Sequence, residues 1–131
     1  MNAEQVMVIH DTVRGSLTGS MTFPQIVGEL AAIGVERYHA DYNRCEITYY
    51  FSDGGSLVMT VPWGEHTIAR DFSAVAVESA VRQSQRGEHT FLDFVRKTTA
   101  VGCVGYVVQI TGRCVQYYGR NGEMHVERFP T

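Results

Sequence analysis

The spacing of apolar positions along this chain changes several times, and each change marks an element. Val6, Ile9, Val13 and Leu17 recur three or four residues apart, the spacing of one helical face. Asn2 with Gln5 forms a capping box ahead of them, and Gly15 and Gly19 weaken the helix, so the pattern predicts a first helix over about residues 3–15. Thr22, Pro24 and Gln25 supply a cap, a proline for the first turn and an acceptor three residues on; Ile26, Val27 and Leu30 then stripe a second helix that stops at Gly34. The period next falls to two. Residues 36–42, 46–51, where Ile47, Tyr49 and Phe51 alternate, and 56–61, after Asp53-Gly54, read as three strands of an antiparallel meander.

The same order then runs again: helices over 73–86 and 90–99, strands over 105–110, 114–118 and 123–127, with turns at Thr111-Gly112 and Asn121-Gly122. Individual residues recur as well. A shift of about 68 residues carries Val13-Arg14 onto Val81-Arg82, Gly19 onto Gly87, Thr22-Phe23 onto Thr90-Phe91, Gly34 onto Gly102, Tyr38 onto Tyr106, Tyr49-Tyr50 onto Tyr117-Tyr118 and Gly54 onto Gly122. These matches fall on caps, turn glycines and aromatic positions, where a shared fold would demand them. The expected fold class is α+β, a two-layer sandwich with an antiparallel sheet. It is an internally duplicated helix-helix-three-strand unit in one domain, residues 1–131, with copies at about 3–62 and 71–130 and a connecting segment at 63–70. Periodicity does not decide whether the two meanders form one sheet or two.

Composition narrows the function classes. With 131 residues, 44% apolar and 19% charged, the chain can build a core without staples. A net charge of -3 offers no basic field, which argues against a nucleic-acid partner. No apolar run reaches membrane-spanning length, and Met1 to His10 lacks a basic leader or cleavage-like site, so the expectation is a cytoplasmic protein with no membrane partner. Cys45, Cys103 and Cys114 are an odd number without a C-x-x-C pair, and free thiols are expected.

The candidate chemistry is sparse. Among the histidines, His10, His39, His66, His89 and His125, none has metalloenzyme spacing; no metal site and no cofactor is assigned. His39-Ala40-Asp41 places an imidazole and a carboxylate on one strand face, where they either share a metal or a proton or face water. Trp63 and His66 lie in the segment that has no duplicated counterpart, so they either serve a ligand or plug the junction between copies. Tyr49 and Tyr117, repeat partners, either line a cleft shared by the copies or fill the core. These six make the candidate ligand-binding set, and no catalytic residue is named.

The stretch Thr90-Phe91-Leu92-Asp93-Phe94-Val95-Arg96, then Ala100-Val101-Gly102, Tyr106-Val107-Val108, Cys114-Val115-Gln116-Tyr117-Tyr118, Gly122 and Phe129-Pro130, with Thr67-Ile68-Ala69 before it, resembles a family of small uncharacterised bacterial proteins. That family is often labelled "phage envelope protein" and has a prophage-encoded member. The resemblance implies a two-layer α/β sandwich without an assigned activity and transfers no catalytic residue. The chain departs from the family's pattern at Gln109, where an acidic residue often follows the Tyr-Val-Val strand, and at Gly119 after Tyr118, so the resemblance transfers no acidic role to either position. The leading expectation is a non-enzymatic binding or protein-interaction domain, with a homodimer through sheet edges or a helix face as one form and an unidentified protein or small molecule as partner. The alternative is a small-molecule-binding protein or enzyme with a site between the two repeats.

Overall fold

The structure, a computed structural model, describes residues 1–130. Helices α1 (Ala3–Thr18) and α2 (Phe23–Ala32) precede strands β1 (Val35–Asp41), β2 (Glu46–Phe51) and β3 (Ser56–Thr60). Helices α3 (Ala74–Gln85) and α4 (Phe91–Thr99) precede β4 (Cys103–Gln109), β5 (Cys114–Gly119) and β6 (Met124–Arg128). The two meanders join in one antiparallel sheet of order β3-β2-β1-β4-β5-β6, so the α+β, two-layer, duplicated layout holds. Among the described residues, no helix is long and apolar enough to cross a membrane.

The joint between copies is β1 against β4. Tyr38 faces Val108, His39 faces Val107 and Ala40 faces Tyr106. Because Tyr106 is the repeat of Tyr38 and Val108 the repeat of Ala40, exchanging the copies maps this register onto itself. A pseudo-twofold axis therefore passes through the pair His39–Val107. Backbone features obey the same exchange: the left-handed residues Gly19, Gly34, Cys45 and Gly54 recur as Gly87, Gly102, Arg113 and Gly122. The irregularity between Val35 and Arg37 recurs between Cys103 and Gly105.

Several local details differ from the pattern reading. Helix α1 runs through Gly15, where the missing side chain makes room for Met21, whose Cγ would lie 2.4 Å from a Cβ, and it stops at Gly19, whose φ of 75° reverses the chain. In the β4–β5 turn the left-handed residue is Arg113, as Cys45 is in the first copy, and Gly112 is not. β4 begins at Cys103, two residues earlier than expected, since Cys103 still pairs with Gly119 across the bulge.

Side chains on one sheet face, Tyr38, Ala40, Ile47, Tyr49, Tyr106, Val108, Val115 and Tyr117, pack with Ile9, Leu30, Val77, Val81, Phe94 and Val95 of the helices. The capping boxes expected at Asn2–Gln5 and Thr22–Gln25 are present, and Thr90 with Asp93 forms the repeat of the second. The Asp93 carboxylate accepts from Thr90 N at 3.1 Å and from Arg96 at 3.0 Å; the Thr90 backbone bond chiefly, then Arg96, holds its pKa down from 3.8 to about 2. A depressed folded pKa adds stability above the ordinary value that disappears as pH falls through the folded one. Asp93→Asn is therefore expected to lower the urea midpoint at neutral pH, with its deficit against wild type closing between pH 3.8 and about 2. A deficit that persists unchanged at pH 2 would contradict this.

Candidate functional site

The sheet separates the six sequence candidates. Tyr49 and Tyr117 lie on the helix-covered face, against Tyr38 at 5.5 Å and Tyr106 at 5.4 Å between ring centroids, and burial pushes both phenols far up. Trp63 is buried as well, with its ring edge-on to Tyr42 and 5.9 Å from Phe91, so it bridges the two copies inside the core. His39 and Asp41 share the opposite, uncovered face. The Asp41 carboxylate does not turn to His39: it accepts from Asn43 N and Arg44 N at 3.0 and 3.3 Å and closes the β1–β2 turn. His66 stands apart in the connecting segment, its Nε2 2.8 Å from Trp63 O, in a shallow pocket of about 500 Å³ shared with Asn43, Cys45 and Glu65.

On the uncovered face, Val58, Thr48, His39, Val107, Gln116 and Val126 form one row across all six strands. Tyr118 leans from β5 across β4 to hydrogen-bond His39 Nε2, passing over Gly105, where a side chain would come within 3.4 Å of the phenol oxygen. Burial, with the nearby Asp41 charge, pushes the Tyr118 phenol up to about 12, so it keeps its proton beside the imidazole. In the first copy the equivalent tyrosine, Tyr50, instead stacks on the Arg37 guanidinium, 4.2 Å from the ring centre.

The sheet ends in two free edges of different character. At β3, Phe51 N donates to Gly55 O and Val61 N to Cys45 O, so the odd residues bond to β2. Alternation then turns the backbone groups of Ser56, Val58 and Thr60 outward. No residue of β3 is charged, and Val58 is 53% exposed. At β6 the corresponding strand, Met-His-Val-Glu-Arg, carries polar groups towards α3.

Those polar groups form the one cluster of potential metal ligands among the described residues: Glu78, His125 and Glu127, with ligand atoms all within 4.8 Å. His125 Nε2 lies 2.5 Å from Glu127 Oε2 and 3.8 Å from Glu78 Oε2, and Arg82 donates to Glu127 Oε1 at 2.7 Å. Burial pulls the Glu127 carboxyl up, but the bonds from Arg82 and His125 outweigh it and leave it below the usual range. Sequence reasoning missed this cluster. Half of its signal was legible, since His125 and Glu127 have the i, i+2 spacing of His39 and Asp41; the third member comes from a distant helix.

The DUF1398 family, described as a protein of unknown function, matches residues 63–128, half of the chain. The chain belongs to that family. The DUF1398 match takes in Trp63, the connecting segment, the second copy and all of Glu78, Arg82, His125 and Glu127, while β3 lies before it. A search of curated proteins finds no match. Membership in DUF1398 thus fixes the family and assigns no activity.

Proposed function

We propose that this protein is a non-enzymatic interaction domain that pairs with a second copy of itself along the free edge of β3. The observation that carries the reading is the strand Ser56-Leu57-Val58-Met59-Thr60, an uncharged, unpaired edge whose sequence complements itself about Val58. In an antiparallel pair centred there, Val58 faces Val58 of the partner subunit and Ser56 faces Thr60 of the partner subunit. These are the residues whose backbone groups point outward, so each opposed pair exchanges both its bonds. On the covered side Leu57 meets Met59 of the partner subunit, and no like charges oppose. Natural edges are usually blunted by charge or proline, and β3 carries neither. The rival reading, a small-molecule or catalytic site between the copies, has less support, because the sheet stands between His39 and the buried tyrosines.

Light scattering on the purified protein over a range of concentrations tests the pairing. Wild type is expected at twice the chain mass of 14.6 kDa. Val58→Lys, at a half-exposed position on the open face, is expected to keep the circular dichroism spectrum and run at the single-chain mass. A monomeric wild type, or a variant that stays dimeric, would overturn the reading.

A further inference from the structure

From the convergence of α3 and β6, we infer that Glu78, His125 and Glu127 form a binding site for a first-row divalent transition metal ion, with Zn²⁺ as the best match. The donor set is one imidazole and two carboxylates, a combination that suits zinc and its neighbours; calcium takes six or more oxygens and magnesium favours near-octahedral oxygen shells. Metal–ligand bonds of about 2.1 Å around a tetrahedral ion place ligand atoms roughly 3.4 Å apart. The separations of His125 Nε2 from Glu127 Oε2, 2.5 Å, and from Glu78 Oε2, 3.8 Å, lie on either side of that spacing. Small side-chain movements reach it. Glu78 has the freedom to make them, because its side chain is 51% exposed, whereas those of His125 and Glu127 are 14% and 13% exposed and held.

What holds them is arranged for ligation. The Tyr117 ring lies beside the His125 imidazole, 6.4 Å between centroids and 27° between planes, and Glu127 engages the imidazole Nε2. Arg82 occupies Glu127 Oε1, so Oε2 is the oxygen presented to the site. Three protein ligands leave the fourth position to water on the solvent side, and the bound ion would tie edge strand β6 to α3.

Comparison of the two copies shows that folding alone does not require this cluster. At the positions equivalent to His125 and Glu127 the first copy has Leu57 and Met59, partly buried against the core, and at that of Arg82 it has Arg14, an exposed side chain. The same layer is therefore built with apolar residues when no ligands are present. The double variant His125→Leu with Glu127→Met copies that solution and is expected to fold.

The test is calorimetric titration of Zn²⁺ into chelator-treated protein, with melting temperatures measured alongside. Wild type is expected to bind one ion per chain and to melt several degrees higher with Zn²⁺, with no such shift for Mg²⁺ or Ca²⁺. The Leu/Met double variant is expected to lose both effects, and Glu78→Gln, at an exposed position, to weaken binding by about tenfold or more. Failure of wild type to bind, or equal binding by the double variant through other histidines, would overturn the site, as would unchanged affinity in Glu78→Gln. These readouts are separate from the mass measurement, since the cluster sits at the opposite end of the sheet from β3.

Discussion

Gly102→Ala is expected to destabilise the protein by more than about 3 kcal/mol, whereas the same change at its repeat partner, Gly34→Ala, costs about 1–2 kcal/mol. Both glycines follow a helix in the left-handed region, with φ of 89° and 95°, so both substitutions incur the backbone penalty. Their surroundings differ. A Cβ on Gly34 has only Phe51 near it, at 3.9 Å, but a Cβ on Gly102 would lie 2.2 Å from the Asp71 carbonyl oxygen. That carbonyl cannot easily retreat. The segment carrying it is tied on both sides, by Ala69 N to Thr99 O and by Ser73 N to Val101 O, at 3.0 and 2.9 Å. Moving Asp71 therefore means breaking the seam between the connecting segment and the end of α4. Urea unfolding of both variants checks the difference; equal losses would show that the segment yields.

That contrast also shows what the sequence can and cannot disclose. The glycine pairs, the caps at Thr22 and Thr90, and the alternation of β2 and β5 were legible because each is a local demand on φ or on one strand face. Parity likewise separated Tyr49 and Tyr117 from Tyr50 and Tyr118, but which parity is covered depends on where the helices dock. The single sheet was not legible, since β2, β3, α3 and α4 all lie between β1 and β4 in the chain and nothing local selects that pairing. Once it is chosen, the repeat constrains the register: two equivalent antiparallel strands on a twofold must be centred on a residue and its own repeat, here His39 and Val107. The Glu78–His125–Glu127 cluster stayed hidden for the same reason, because a helix and a strand distant in sequence bring it together. Among the six candidates, spacing put His39 and Asp41 on one face but was silent on their partners, which are Tyr118 for one and a turn backbone for the other.

The copies also share the core unequally, and Phe94→Ala is expected to expose this with a loss of about 3–5 kcal/mol. Phe94 is 5% exposed and sits at the centre of an aromatic group: it meets Tyr106 and Tyr117 edge-on, at 6.5 and 6.0 Å, and stacks on Phe91 at 6.1 Å. Truncating it removes the transfer energy of a buried ring, leaves a cavity beneath two tyrosines that are fixed by the sheet, and breaks several ring pairs at once, each contributing about 0.5–1.5 kcal/mol. Its repeat partner is Ile26, partly buried at the margin of the same core, so Ile26→Ala is expected to cost about 2 kcal/mol or less. Against a total stability of about 5–15 kcal/mol, the first change leaves a marginal protein and the second does not. Phe94→Leu, which keeps most of the volume and loses the ring pairs, separates the two contributions and should fall between them. Equal losses for Phe94→Ala and Ile26→Ala in urea unfolding would mean that the aromatic group adds nothing beyond ordinary burial. The larger loss at Phe94 would place the heavier part of the core in the second copy, the same copy that carries the family match and the His125 cluster.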